Sequence, residues 1–191
     1  METSRFEALI DAILAIIITI IVMEIPLPET TNLSSLLALY PEFISYTLSF
    51  VICFNFWNYH HHLFDIVNKL NSTITWTNAI GIMIIGLLPH VTTMVSTNFY
   101  SFTAQFMFGL VLLLTDLTFY ITDILLIKID KANIALRFAL RDRKKLTIIT
   151  TVIQIMGMLI GYFVFPPVIM MSSILAMVVN LTWNYIKNSI Y

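Results

Sequence analysis

Six long apolar stretches constrain the fold of this chain more than any other feature. They lie near residues 6–25, 43–64, 75–97, 102–127, 146–165 and 168–187. The hydrocarbon core of a bilayer is about 30 Å thick, and an α-helix of about 20 residues crosses it. The sequence therefore predicts an all-α integral membrane protein in which residues 1–191 form one domain of six transmembrane helices.

The composition excludes several other classes of protein. Only 11% of the residues are charged and 59% are hydrophobic, whereas a soluble domain carries about a quarter charged residues. A net charge of −1 provides no basic surface for nucleic acid, so membrane lipids are the expected surroundings and no soluble partner is inferred. The longest polar segment, 128–145, is too short to bury a core of its own, so any function must be built from the helices.

The basic residues all fall on one side of the predicted helices. They are Arg5, Lys69, Lys128, Lys131, Arg137, Arg141, Arg143, Lys144, Lys145 and Lys187. The loops on the other side, 26–42, 98–101 and 166–167, contain no Lys or Arg. Because basic loops stay in the cytoplasm, we expect a multi-pass protein of the plasma membrane with both termini cytoplasmic. The basic loop 128–145 either sets this topology and contacts anionic headgroups or serves a ligand-binding or regulatory role.

The first apolar helix carries a narrow stripe on one face. At about 100° per residue, Ala12, Ile16, Thr19 and Met23 lie within roughly 60° of one another. The stripe is apolar except for the hydroxyl of Thr19. From the residues alone, it is either a seam for packing against another helix or a functional surface.

Polar side chains gather at the cytoplasmic ends of the first three helices. The residues at this depth are Arg5, Asp11, Trp57, His60, His61 and Asn78. A buried charge is costly unless it is paired, so we expect these side chains to form one network between helices. The alternative is a belt of aromatic and His residues at the membrane interface. His61 and Asp65 share a helix face, but two ligands do not complete a zinc site, so no metal is expected.

Asp116 is a further anomaly because it lies near the middle of an apolar helix. Asp123, seven residues later, shares its face. Acids at this depth serve proton relays in transporters, so a proton-coupled secondary transporter using Asp116 and Asp123 is the alternative function. A protonated or Thr-bonded structural acid is the other interpretation of Asp116.

Several of these residues match the motifs of a known family. The matching positions are Arg5 to Asp11, Ser49-Phe50, Trp57 with His60-His61, and Asn78 with Pro89. Together they resemble Arg-x-x-x-Phe-Ser-Asp, Ser-Phe, Trp-x-x-His-His and Asn followed by Pro in the endolysosomal potassium channel family, transmembrane protein 175 type, in its bacterial branch. Leu9-Ile10 stand where that family has Phe-Ser, so the hydrogen bond of that Ser is not carried over.

The resemblance implies a potassium-permeable cation channel without a carbonyl-lined filter, assembled as a homotetramer with helix 1 of each subunit lining the pore. It implies a constriction at Ile16 and further pore-lining positions at Thr19 and Met23, with Ala12 on the same stripe. Four Ile16 side chains would form an apolar ring, and Thr19 hydroxyls would replace part of an ion's hydration shell. We expect modest selectivity for potassium over sodium, with potassium as the permeant ion and no cofactor.

Two further classes of function are alternatives to the channel. A structural or interaction protein without a permeation path would show no ion flux, which a channel or transporter would. An enzyme is not expected, because the sequence offers no nucleophile with a nearby base and no complete set of metal ligands.

Overall fold

The computed structural model describes the backbone of residues 3–190 and the side chains of that range except those of 142 and 184–190. Every regular element in this described part is an α-helix. The helices are α1 (Thr3–Met23), α2 (Leu33–Ala38), α3 (Tyr40–Phe64), α4 (Ser72–Ile85), α5 (Leu88–Thr97), α6 (Phe102–Ile129), α7 (Ile134–Phe163) and α8 (Val168–Ile190). The prediction of an all-helical chain is confirmed.

Four helical segments are long and apolar enough to cross a membrane. They are α1, the α4–α5 segment Ser72–Thr97, α6 and α7, with 21, 26, 28 and 30 residues. Within α8, Val168–Trp183 forms a shorter apolar helix. The 25 residues of α3 include three consecutive histidines, and α3 is not among these four segments. The chain is a membrane protein with several apolar helices.

The predicted third stretch, 75–97, is two helices in the structure. α4 ends at Ile85 and α5 begins at Leu88, with Pro89 in its first turn. Proline has no N–H to donate, and its ring clashes with the carbonyl four residues earlier. That carbonyl belongs to Ile85, so the helix is interrupted where α4 ends.

The segment 128–145, expected as a loop, is mostly helix. Only 130–133 separate α6 from α7. The side chain of Asn133 caps α7 by accepting a hydrogen bond from the backbone N–H of Leu136 at 3.0 Å. Leu136 and Leu140 are buried at helical spacing. Lys and Arg are good helix formers, so charge in this segment ended the apolar run without ending the helix.

α6 lies at the centre of the subunit and contacts α4, α5, α7 and α8, whereas α1 packs on α3, α4 and α5. Close approach of α7 and α8 depends on two glycines. A Cβ at Gly157 would overlap the side chain of Ser172, and one at Gly161 would overlap that of Ile169. This small-xxx-small spacing is typical of packed membrane helices.

Candidate functional site

α1 packs into the subunit through one face only. The buried residues are Phe6, Ile10, Leu14, Ile17 and Ile21. Their spacing of three, four and seven residues places them on one side of the helix. α1 is therefore held against the subunit by a continuous apolar stripe.

The predicted stripe lies on the opposite side of α1, about 150° around the helix from the buried face. Ala12, Ile16, Thr19 and Met23 are all exposed, with 57% of Ile16 and 81% of Met23 accessible. The stripe is therefore not a packing seam within the subunit.

Thr19 adds polarity to this exposed stripe in a defined direction. Its hydroxyl donates a hydrogen bond to the carbonyl oxygen of Ile16, one turn earlier, at 2.8 Å. The hydroxyl hydrogen is therefore engaged within α1, and the lone pairs of the oxygen remain available to accept. An oxygen in this state is able to coordinate a cation.

Near its N-terminal end, α1 is joined to α3 by two contacts, which we call the α1–α3 clasp. Trp57 donates its indole N–H to Asp11 Oδ1 at 2.9 Å. His61 Nδ1 lies 2.8 Å from Glu7 Oε1. Glu7 and Asp11 are four residues apart on α1, and Trp57 and His61 are four residues apart on α3. The two contacts therefore lie one helical turn apart. The Trp57 and His61 rings also stack, with centroids 5.4 Å apart.

His60 and Asn78 form a separate buried pair between α3 and α4. His60 Nε2 lies 3.3 Å from Asn78 Oδ1, and the Asn78 amide donates to the carbonyl of Ile74. The amide oxygen is therefore the acceptor and His60 Nε2 the donor. The His60 ring also stacks on Phe64, with centroids 4.2 Å apart.

The polar residues expected in one network thus divide between two sites. The α1–α3 clasp includes Asp11, Trp57 and His61. The second site, between α3 and α4, is the pair His60 and Asn78. Arg5 is exposed and has no ion pair with any side chain that the structure describes.

Glu7 was missed as a site residue from the sequence. It stands four residues before Asp11 and so shares the α3-facing side of α1, which was the available indication. Glu7, His61 and Asp65 each offer one possible metal-ligand atom, and these three atoms lie within 4.8 Å of one another. The direct contact between Glu7 and His61 accounts for this arrangement without an ion, and Asp65 lies 4.0 Å from His61 Nε2.

The two intramembrane acids have different surroundings. Asp123 Oδ2 lies 3.0 Å from Arg143 Nε, and Asp123 Oδ1 accepts from the Tyr59 hydroxyl at 2.6 Å. Asp116 instead accepts a hydrogen bond from Gln154 at 3.1 Å. The partners of both acids come from α3 and α7, and sequence spacing within one helix gave no indication of them.

Asp116 and Arg143 line a cavity of about 90 Å³ between α3, α6, α7 and α8. Its remaining polar lining includes Thr115, Thr150 and Gln154. No described residue of α1 borders it. The cavity is therefore separate from the exposed stripe of α1.

Comparison with known proteins relates this arrangement to potassium channels. The family model described as endosomal/lysosomal potassium channel TMEM175 matches residues 5–89, the part of the chain that contains the stripe, the clasp and the His60–Asn78 pair. A potassium channel of Chryseobacterium sp. (strain P1-3) is 31% identical over 163 residues, which cover 85% of this chain and 84% of that protein. A potassium channel of Chamaesiphon minutus is 34% identical over 101 residues, covering 50% of each chain.

A solved structure has the same fold. It is the crystal structure of a lysosomal potassium-selective channel TMEM175 homologue from Chamaesiphon minutus, with a TM-score of 0.71 at 21% identity. The match covers 94% of this chain and 97% of that one. The sequence motifs, the family model and the relatives all indicate the same family of potassium channels. Potassium channels are not a class of enzyme. The chain belongs to the TMEM175 family of potassium channels.

Proposed function

We propose that this chain forms a potassium-permeable cation channel whose pore is lined by α1. The observation that carries the proposal is the exposed stripe of α1, because it lies opposite the buried face by which α1 packs into the subunit. Ile16 and Met23 on this stripe are accessible in the single subunit. In an assembly of several copies, these side chains would face a central axis.

One α1 per subunit cannot enclose a pore, but several copies related by rotation about an axis can. The assembly we propose is a homotetramer with four α1 helices around the axis. The α1–α3 clasp then has a positioning role, since its two contacts fix the rotation of α1 about its own axis. A fixed rotation keeps the stripe directed at the pore.

Ile16 is the constriction in this proposal. Four isoleucine side chains make an apolar ring that expels water when it is narrow. Ala12 lies about 6 Å along the helix towards the cytoplasm and leaves a wider opening there because its side chain is small. Met23 lies about 10 Å to the other side.

Thr19 supplies modest selectivity for potassium over sodium. Its oxygen lies about 4.5 Å along α1 from the level of Ile16, and its hydrogen is already donated to the Ile16 carbonyl. Four such oxygens replace part of the hydration shell of a passing ion. Potassium gives up hydration water more easily than the smaller sodium ion, and no cofactor is required.

We propose that the protein crosses the plasma membrane with six transmembrane helices. Both termini then lie in the cytoplasm. The one-sided distribution of Lys and Arg supports it. In this orientation the α1–α3 clasp lies at the cytoplasmic end of the pore helix, and the α6–α7 turn also faces the cytoplasm.

Subunit counting combined with flux tests the proposal. Native mass spectrometry of the purified protein is expected to give four copies, and liposomes containing it are expected to release potassium down its gradient. A strictly monomeric protein would contradict the channel. A dimer with saturable, proton-coupled flux would support the transporter instead.

A further inference from the structure

A groove with a basic edge runs between α6 and the first turns of α7. Its volume is about 440 Å³, within the range of roughly 300–1,000 Å³ that is typical of small-ligand sites. Its lining includes Ile124, Ile127, Phe138, Arg137, Arg141 and Lys144. No described residue of α1 lines the groove, so the groove is separate from the stripe on α1.

The three cations of the groove share one face of α7. Positions 137, 141 and 144 are separated by four and three residues, so they lie in consecutive turns on the same side. All three are exposed, and none forms an ion pair with a described side chain. Asp123 also borders the groove, but its charge is taken up by Arg143. Among the side chains that the structure describes, the edge therefore presents uncompensated positive charge.

The floor of the groove is apolar. Ile124 and Ile127 of α6 and Phe138 of α7 line it, and Phe138 is 55% exposed. A hydrophilic anion would gain nothing from these surfaces, whereas a ligand with an anionic head and a hydrocarbon body would contact both parts.

The same face of α7 continues into the membrane as an apolar stripe. Ile148, Val152 and Ile155 are exposed, at 50%, 54% and 43%. Lys144 and Ile155 are eleven residues apart on α7, which is about 16 Å along the helix. One leaflet of a bilayer contributes about half of the 30 Å hydrocarbon core. The distance therefore matches a headgroup at the cations and an acyl chain along α7.

From this arrangement we infer that the α6–α7 groove is a binding site for one anionic phospholipid in each subunit. Arg137, Arg141 and Lys144 hold the phosphate, and the apolar floor holds the beginning of an acyl chain. Bidentate hydrogen bonds from arginine suit phosphate oxygens, and basic pockets between membrane helices are a known way of binding anionic headgroups.

The test compares two double variants of the full-length protein that remove the same charge. Arg137→Gln/Arg141→Gln alters the groove, and Lys128→Gln/Lys131→Gln removes two exposed lysines beside it that do not line it. Protein delipidated in detergent is titrated with phosphatidylglycerol, and bound lipid is counted by native mass spectrometry. Wild type and the lysine variant are expected to bind one lipid per subunit with affinities within about twofold. The arginine variant is expected to bind about thirtyfold more weakly.

Two further probes separate the lipid from its chemical parts. Phosphatidylcholine binding as tightly as phosphatidylglycerol would overturn the inference, because the cations would not be recognising charge. Glycerol phosphate binding as tightly as the whole lipid would also overturn it, because the apolar floor would contribute nothing. If the arginine double variant fails to fold, Lys144→Gln against Lys145→Gln provides the same comparison, and equal affinities there would refute the site.

Discussion

The contact between Trp57 and Asp11 should contribute measurably to stability. Trp57→Phe leaves an aromatic ring beside His61 but removes the indole N–H that lies 2.9 Å from Asp11 Oδ1. A hydrogen bond to a charged group contributes about 1.5–3 kcal/mol, and Asp11 would be left without this donor. At about 2–4 °C per kcal/mol for a chain of this size, the unfolding temperature should fall by about 3–12 °C.

Cys53 provides the assay. It is the one cysteine of the chain and is fully buried, so a thiol-reactive fluorogenic dye labels it only when the helices separate. Trp76→Phe is the matched control. The substitution makes the same chemical change in another helix, at a side chain that is 69% exposed. The control should unfold at the temperature of wild type.

A double-mutant cycle adds the decisive comparison. If Trp57 and Asp11 act through each other, Asp11→Ala combined with Trp57→Phe should cost less than the sum of the two single losses. Additive losses, or unchanged unfolding in Trp57→Phe, would refute the reasoning and leave the clasp without a role in holding α1.

Substitutions at Asp116, Thr19 and Gly161 test the cavity, the stripe and the α7–α8 contact separately. Asp116→Asn should leave potassium flux in liposomes nearly unchanged, because the cavity beside Asp116 is separate from α1; abolished transport in a folded protein would favour the proton-coupled transporter. Thr19→Val should lower the potassium-to-sodium permeability ratio from reversal potentials with little change in open probability, and an unchanged ratio would remove Thr19 from the selectivity mechanism. Gly161→Val should destabilise the protein by about 1–3 kcal/mol in thermal unfolding, because its side chain meets Ile169 between α7 and α8; normal stability would mean that these helices separate easily.

The sequence was sufficient for the helical membrane architecture, because burial in lipid requires long apolar runs whatever the tertiary arrangement. It was also sufficient to find the stripe from Ala12 to Met23, since helical geometry alone sets which residues share a face. It did not predict which side of α1 packs inward. That depends on how α3, α4 and α5 accept Ile10, Leu14 and their neighbours.

The side-chain partners were harder to predict for a related reason. Asp11 and Trp57 were expected at one depth in the membrane, and the two side chains are hydrogen-bonded in the structure. Depth alone does not fix the rotation of either helix. His60 and His61 consequently point to different neighbours, Asn78 and Glu7. The contact of Arg143 with Asp123 depends on α7 beginning at Ile134. The sequence did not indicate this start, because the charged residues of 128–145 were interpreted as a loop.

The central claim is that the Ile16 side chains close a pore on the axis of the assembly. Single-channel recording of Ile16→Asn in planar bilayers tests it most directly, with Ile121→Asn on α6 as the control because Ile121 is also exposed, at 43%. A polar ring wets the constriction, so Ile16→Asn should raise basal potassium conductance while Ile121→Asn matches wild type. Intact tetramers with unchanged conductance in Ile16→Asn would contradict the account and move the permeation path away from α1.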